Sequence, residues 1–155
     1  MGKLHRGKGS EDKLIVVATE EEYKLAKERF KDHNVIKTGV GGINVIETLK
    51  DIKRDEQIVN FGYVGSNTIP VGTELKVGLC ELYHPNVEYE EKRYNLGGTI
   101  RCLTSNDFVL KTKIKEPVVF DMELAYICAM GFEKLESIKI VSDNLSLEQY
   151  EEEIK

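Results

Sequence analysis

The stretch VVFDMELAYICAMG (118–131) begins as an apolar strand pattern and continues as an apolar helix pattern. Asp121 and Glu123 lie where the strand pattern passes into the helix pattern. A buried ionised carboxylate is costly unless it is paired or hydrogen-bonded. A helix that begins at about Asp121 would take this acid as its N-cap and would favour Glu123 in its first turn. A sugar diol would satisfy buried carboxylates as well, so the residues alone leave both interpretations open.

Outward from this stretch, strand and helix patterns alternate along the chain. The expected strands are KLIVVA (13–18), NVIKT (34–38), QIVNFGYVG (57–65), ELKVGLCELY (74–83), TIRCLT (99–104), VVF (118–120) and SIKIVSD (137–143). The expected helices are 19–30, a segment entered from the glycines at 39–42, a segment from about Asp121 to Met130, and the acidic C-terminal segment. This alternation predicts an α/β fold, a single layered domain with a mostly parallel central sheet flanked by helices.

Two segments are expected to lie outside the regular strands and helices: the N-terminal arm and one internal segment. The domain is expected to span 13–155, whereas the polar, glycine-rich residues 1–12 are expected to be a flexible arm or a cloning remnant. The segment HPNVEYEEKRYNLGG (84–98) is expected to be a long loop or a hairpin.

The composition is that of a soluble globular protein. The 155 residues are 41% hydrophobic and 32% charged, and the length fits one domain with a sizeable core. The net charge of −5 gives no reason to expect nucleic acid or an anionic membrane as a partner. No apolar run reaches membrane-spanning length and no signal peptide precedes the first strand, so a cytoplasmic protein is predicted.

Cysteine and histidine spacing indicates neither a disulfide framework nor a metal site. Three cysteines lie far apart in apolar contexts: Cys80, Cys102 and Cys128. An odd number of scattered cysteines is typical of reduced thiols in a cytoplasmic protein. The three histidines share no metal-ligand spacing: His5, His33 and His84. We therefore predict neither a metal nor a cofactor.

Polar clusters follow several of the predicted strands. They occupy 20–22, 39–42, 63–67, 105–108, 121–123 and 142–144. In open α/β sheets, ligands bind in the crevice beyond the carboxyl ends of the strands. If these ends converge, they form one crevice lined with carboxylates, glycines and an aromatic ring.

Most of these clusters also have an ordinary structural explanation. TEEE (19–22) matches a capping box, and short glycine turns such as GVGG (39–42) are common between strand and helix. The glycine turn has neither the G-x-G-x-x-G nor the G-K-[ST] pattern of nucleotide loops. Phe108 is typical of a core residue. No G-x-S-x-G elbow surrounds Ser105, which argues against a serine hydrolase.

Asp143 has two explanations of equal weight. It follows the last predicted strand, and an acid in that place usually caps the next helix. SLEQ (146–149) is itself a capping box, which would leave Asp143 available for chemistry.

Taken together and in order, these segments resemble the nucleoside phosphorylase/nucleosidase superfamily, above all the methylthioadenosine/S-adenosylhomocysteine nucleosidases. The segments that carry the resemblance are IVVATEEEY (15–23), TGVGGINVIETL (38–49), NFGYVGSN (60–67), IPVGTELKVG (69–78), CLTSNDFV (102–109), VVFDMELAYICA (118–129) and IKIVSDN (138–144). The most specific are the Met-Glu of FDMEL and the Ser-Asp after the last strand. The family implies a nucleoside phosphorylase-like fold, no cofactor, and a homodimer or higher homo-oligomer.

The resemblance also implies a role for the acidic residues in cleaving an N-glycosidic bond. Glu22 matches the glutamate that positions or activates the attacking water. Glu123 matches the glutamate that holds the ribose 2′- and 3′-hydroxyls, with Met122 packed against the sugar. Asp143 matches the acid that hydrogen-bonds or protonates purine N7.

The remaining implied site residues form the binding surface. Phe108 would stack on the base, and the backbone of Val109 would hydrogen-bond its edge. Gly41 and its loop would line the pocket of the nucleophile. Tyr63 stands where the nucleosidases often carry a small hydroxyl residue, and Asp121 stands where a glutamate is usual.

The predicted activity is that of a purine nucleosidase, which hydrolyses an adenosine-type nucleoside to free base and sugar. The chain is a shortened member, mainly between 83 and 102 and between 108 and 118, so an inactive relative that only binds a nucleoside is one alternative. A phosphorylase that uses phosphate is the other. Phosphate sites normally recruit arginines, and none of the five lies in the glycine loop or beside the acidic clusters: Arg6, Arg29, Arg54, Arg93 and Arg101. Water is therefore the favoured nucleophile.

Overall fold

The computed structural model describes residues 12–84 and 92–153. The predicted arm at 1–12 lies outside these residues except for its last position, as do residues 85–91 of the predicted loop or hairpin at 84–98. The strands are β1 (Leu14–Val17), β2 (Asn34–Lys37), β3 (Gln57–Ser66), β4 (Glu74–Leu82), β5 (Tyr94–Asn95), β6 (Ile100–Thr104), β7 (Val118–Asp121) and β8 (Lys134–Asp143). The helices are α1 (Glu20–Arg29), α2 (Gly42–Leu49), α3 (Leu124–Ala129) and α4 (Leu147–Glu153).

The strands form one sheet that closes on itself. The path β2-β1-β3-β7-β6-β4-β5 is completed by β8, which pairs with both β3 and β4. Strands β3, β7, β6, β4 and β8 therefore make a ring, with β1–β2 and β5 attached to it. The predicted α/β class is confirmed.

The prediction of a mostly parallel sheet is only partly right. Among the described residues, five strand pairs are parallel, and β3–β7, β4–β5 and β4–β8 are antiparallel. The turn between β3 and β4, at 67–73, is far too short for a parallel crossover. Strand β4 therefore runs back antiparallel to β8, and the sheet is mixed.

Strand β3 has a gap along one edge. Strand β8 covers the other edge from Gln57 to Gly65. On the open edge, β1 pairs only as far as Asn60, and β7 pairs only at Gly65 and Ser66. Within 12–84 and 92–153, no strand pairs with residues 61–64 on this edge. The gap lies next to the last residues of β1 and β7, and it determines where the site forms.

The helices lie on different parts of the sheet. Helix α1 packs on β1 and β3 through a cluster that includes Ala26 and Phe61. Helices α2 and α3 pack against each other and the opposite side of β1, with Leu49 and Ile127 fully buried. No helix within 12–84 and 92–153 has the length and apolar character needed to cross a membrane.

The expected start of the third helix at Asp121 is wrong. Asp121 is the last residue of β7, where it pairs with Thr104 of β6, and α3 begins three residues later at Leu124. The β-pairing with β6 holds Asp121 in the sheet, so Glu123 becomes the N-cap residue of the helix.

Candidate active site

A cavity of about 250 Å³ opens at the gap in β3. Its wall includes seven of the eight site residues that the sequence predicts: Glu22, Tyr63, Phe108, Val109, Met122, Glu123 and Asp143. The eighth, Gly41, lies directly behind the wall and donates its backbone N–H to Glu123 Oε2 at 2.8 Å. Segments far apart in the chain thus converge on one space, as the sequence predicts. Their individual roles stay predictions.

Glu22 closes the gap between β1 and β3 with its side chain. Its Oε1 accepts hydrogen bonds from the backbone of Ala18 (2.8 Å) and Thr19 (3.2 Å), and its Oε2 accepts one from Tyr63 N (2.9 Å). The predicted capping box with Thr19 is confirmed, and the same side chain reaches the cavity. Gly62 makes this possible, because a Cβ there would lie 2.7 Å from Glu22 Oε2. Burial raises the pKa of Glu22, against the opposing hydrogen bond from Tyr63.

Glu123 sits between a backbone donor and other carboxylates. Gly41, whose φ of 93° suits glycine, aims its N–H at Glu123 Oε2. Burial, and then the negative charge of Asp121, raise the pKa of Glu123 to about 7. The carboxyl group therefore exchanges its proton near neutral pH.

Asp143 ends β8 and is 1% exposed. Its Oδ1 accepts from the Ser142 hydroxyl at 2.8 Å, and its Oδ2 accepts from the backbone of Leu145 (2.9 Å) and Ser146 (3.1 Å). Burial raises its pKa, although these hydrogen bonds act the other way. The acid is thus protonated more readily than an exposed aspartate.

The capping box predicted at 146–149 forms only in part: Ser146 Oγ accepts from Gln149 N at 3.2 Å, but the Gln149 side chain does not accept from the Ser146 amide. Gln149 Oε1 accepts from Asn144 N at 2.8 Å, and Asp143 Oδ2 takes the amide of Ser146 instead. Asp143 therefore holds the turn into α4 and lines the cavity as well.

The apolar wall contains an aromatic pair, of which the sequence predicts one member, Phe108, and not the other, Tyr150. The rings of Phe108 and Tyr150 meet edge to face, with centroids 5.6 Å apart and planes at 68°. Tyr150 lies on α4 among glutamates, a pattern typical of a solvated helix, so the sequence gives no signal for its place in the cavity. Burial and the nearby carboxylates, Glu22 first among them, raise the pKa of Tyr150 to about 12.

A buried ion pair that sequence reasoning missed lies beside the cavity: its acid, Asp121, lines the cavity wall, and its lysine, Lys139, does not. Lys139 Nζ lies 3.3 Å from Asp121 Oδ2, and the two side chains are 2% and 1% exposed. Asp121 Oδ1 also accepts from Thr104 Oγ1 at 2.6 Å and from Cys102 Sγ at 3.4 Å. A single lysine between isoleucines in a strand does not indicate a buried cation, because alternation would place it on an exposed face.

The three cysteines, and the two histidines among the described residues, His33 and His84, are not part of the cavity wall. Cys80, Cys102 and Cys128 are buried free thiols. Within 12–84 and 92–153, no group of three or more His, Cys, Asp or Glu side chains is arranged to hold a metal ion.

No protein-family model matches the sequence, and no curated protein sequence matches it significantly. Solved structures do match. One is a 5′-methylthioadenosine/S-adenosylhomocysteine nucleosidase of Chlamydia trachomatis bound to methylthioadenosine, with a TM-score of 0.78 and 14% identity over 92% of this chain and 89% of that one. Another is the Helicobacter pylori nucleosidase in complex with an aminopyrrolopyrimidine-substituted pyrrolidinol, with a TM-score of 0.74 and 12% identity over 95% of this chain and 92% of that one.

A third match is the corresponding nucleosidase of Colwellia psychrerythraea in complex with adenine. Its TM-score is 0.71 and its identity 17%, over 94% of this chain and 89% of that one. At these identities the similarity is one of fold. The predicted resemblance is confirmed at that level: the chain has the fold of the methylthioadenosine/S-adenosylhomocysteine nucleosidases.

Proposed function

We propose that the protein is a purine nucleosidase, which hydrolyses the N-glycosidic bond of an adenosine-type nucleoside, such as methylthioadenosine or S-adenosylhomocysteine, to free base and sugar. The observation that carries this proposal is the convergence of Glu22, Glu123 and Asp143 on one cavity that also has an aromatic wall. Burial raises the pKa of all three acids. Pairs of acids with shifted pKa values are typical of sites for general acid–base chemistry.

Glu123 is proposed to hold the ribose. Its Oε2 accepts from Gly41 N, and the carboxylate faces the cavity beside Met122. Two adjacent sugar hydroxyls are donors of the kind that a half-satisfied buried carboxylate requires. Met122 supplies an adaptable apolar surface for the sugar ring.

Glu22 is proposed to activate the attacking water. Three backbone N–H groups fix its carboxylate and leave it at the edge of the cavity. A base in a fixed position gains efficiency because proton transfer then needs no reorganisation. Negative charge at this place also favours the positive charge that develops on the sugar ring as the bond breaks.

Asp143 is proposed to protonate the purine at N7 as the base leaves. Because burial raises its pKa, the acid carries a proton more readily than an exposed aspartate, as donation to a leaving base requires. In the structure its Oδ2 accepts from Leu145 N and Ser146 N, so Oδ1, which accepts from the Ser142 hydroxyl, is the better placed oxygen for the base. Phe108 would stack on the purine, and the backbone of Val109 would bind its edge.

Phosphorolysis is less well supported than hydrolysis. The residues that line the cavity, within the described part of the chain, include no arginine or lysine. Arg29 pairs with Glu74, and Arg54 donates to backbone carbonyl groups. A phosphate anion among three buried carboxylates would be repelled, whereas water would not.

A homodimer or higher homo-oligomer is also proposed. Ile43 of α2 is 80% exposed, and Val40 and Ile46 on the same segment are 46% exposed. Val40 also lines the cavity, so a second copy that covers this face would lie at the rim of the site.

The test is release of free base, measured by chromatography, from methylthioadenosine, S-adenosylhomocysteine, adenosine and inosine, each with and without phosphate. Release without phosphate is expected, with kcat reduced about 10²–10⁴-fold in Asp143→Asn because the leaving group loses its acid. Release only with phosphate would make the protein a phosphorylase. Binding of a nucleoside without any release would make it a binding protein and overturn the proposal.

A further inference from the structure

Glu123 is the N-cap residue of α3, yet its side chain does not cap the helix. An acidic N-cap normally accepts a hydrogen bond from the backbone of the second or third helical residue. Here Glu123 Oε2 turns instead to Gly41 N, 82 residues away in the chain. Something other than Glu123 must therefore satisfy the first amides of α3.

Two side chains from neighbouring strands do so. Asp121 Oδ2 accepts from Leu124 N at 2.7 Å and from Glu123 N at 3.3 Å. Thr104 Oγ1 accepts from Ala125 N at 2.9 Å. The next amides along the helix bond to the Glu123 carbonyl oxygen, so no amide of the first turn remains for the Glu123 carboxylate.

The two capping side chains are themselves fixed. Thr104 Oγ1 donates to Asp121 Oδ1 at 2.6 Å, and Lys139 Nζ donates to Asp121 Oδ2 at 3.3 Å. Thr104, Asp121 and Lys139 are all buried. Side chains held by several buried hydrogen bonds have one available position, since any other leaves polar groups unsatisfied.

We propose that Thr104, Asp121 and Lys139 act as one positioning unit, which caps α3 in place of Glu123 and so leaves the Glu123 carboxylate to bind substrate. The proposal deepens the proposed function and rests on it for the identity of the ligand, a vicinal diol. The arrangement of the unit itself is independent of that function. None of the three residues is proposed to be catalytic.

The charges around Glu123 are consistent with this role. Asp121 faces it from β7, Lys139 from β8 and Glu22 from α1, and Gly41 N–H approaches from the loop before α2. Tyr150 on α4 lies near enough for its titration to respond to Glu123. Burial and Asp121 raise the pKa of Glu123, and Gly41 and Lys139 oppose them. If Glu123 returned to the helix amides, hydrogen bonds to its ionised form would lower that pKa.

The first experiment follows the Glu123 carboxyl group by ¹³C NMR titration, without substrate, in wild type and in Thr104→Val. The valine keeps the shape of threonine but cannot accept from Ala125 N or donate to Asp121. We expect the pKa of Glu123 to fall from about 7 by on the order of one pH unit, and the Ala125 amide proton to begin titrating with Glu123. Thr104→Ser, which keeps the hydroxyl, should restore the wild-type titration.

The second experiment measures KM and kcat for the best nucleoside substrate. Thr104→Val should raise KM about 10-fold and change kcat less than about 3-fold, since the ground-state hold on the diol is lost. Val77→Ala, a buried substitution on β4 that does not line the cavity, is the control for lowered stability alone. It should leave both the Glu123 titration and KM unchanged.

The outcomes separate the two proposals. A variant that melts at a lower temperature but keeps the wild-type Glu123 titration would make the unit merely structural and overturn the inference. If the wild-type protein releases no base from any nucleoside, the proposed function fails, while the NMR titration still decides whether the unit positions Glu123.

Discussion

The two ends of the parallel strands β1, β3 and β8 hold carboxylates in opposite ways. At the starting end, a surface cavity of about 340 Å³ contains Glu136, which lies 3.2 Å from Lys13 Nζ and 3.1 Å from Lys76 Nζ. Burial alone would raise the pKa of Glu136, but hydrogen bonds and charge from the two lysines lower it. At the finishing end, Glu22, Glu123 and Asp143 accept mostly from backbone N–H groups, and their pKa values are raised.

This difference separates a structural carboxylate from one that is prepared for a ligand. The chain has 22 lysines and arginines, so cations are abundant, and at the starting end they neutralise the acid. At the finishing end the only cation described near the acids is Lys139, and Asp121 binds it. The three cavity carboxylates are thus desolvated without a cationic partner, which is tolerable only where protons, water or ligand hydroxyls can approach.

The largest expected effect is a loss of kcat when the charge of one acid at the finishing end is removed, compared with the same change at the starting end. Glu22→Gln should lower kcat about 10²–10⁴-fold, because the water loses its base. Glu136→Gln, the matched control, should change kcat less than about 2-fold, since its partners are surface lysines. Steady-state base release checks both variants, with melting temperatures to confirm folding. Equal losses in the two variants would show that the distinction between the ends has no functional meaning.

The next effect is a dependence of stability on pH. The pKa of Glu123 is about 7 in the folded protein and 4.5 in an unfolded chain, so the folded state binds this proton more tightly. The stabilisation is fully present below pH 4.5 and is lost as the pH rises through 7, a change of about 3 kcal/mol in the free energy of unfolding. Glu22 and Asp143, whose pKa values are also raised, contribute with the same sign.

Urea unfolding at pH 5 and pH 8 measures this change. Glu123→Gln should remove most of the difference between the two pH values, because the amide does not titrate. Glu136, whose pKa is lowered, contributes oppositely and only as the pH falls below its ordinary range, so Glu136→Gln should leave the pH 5 to pH 8 difference intact. A wild-type protein that is more stable at pH 8 than at pH 5 would contradict the view that the cavity acids are buried without a cationic partner.

The sequence predicts the cavity residues well because their signals are local. Continuous apolar runs indicate buried strands, and polar residues that follow such runs come together when the strands are parallel. Glu22 follows β1 and Asp143 ends β8, both strands run parallel to β3, and both acids line the cavity. Glu123 lines the cavity as well, but it follows β7, which runs antiparallel to β3, so this rule does not explain its place. The capping box that the sequence shows at Thr19 also forms, since it needs only neighbouring residues.

The features that the sequence does not predict depend on long-range pairing. Closure of the ring requires β8 to meet both β3 and β4, which no local pattern encodes. Lys139 is buried only because both faces of β8 are covered, and its partner Asp121 lies 18 residues away. Tyr150 enters the cavity only because the turn after Asp143 brings α4 back over the site.

The smallest expected effect tests the starting end alone. Lys76→Met leaves Glu136 one lysine, Lys13, and the Lys76 side chain is 57% exposed, so water already screens the pair. The free energy of unfolding should fall by less than about 1 kcal/mol, and the difference from wild type should shrink further in about 1 M NaCl. Base release should not change. A loss of several kcal/mol, or of activity, would mean that Glu136 depends on its cation as strongly as a buried acid does. The contrast between Glu136, neutralised by lysines, and the cavity acids, which have no such partner, would then be wrong.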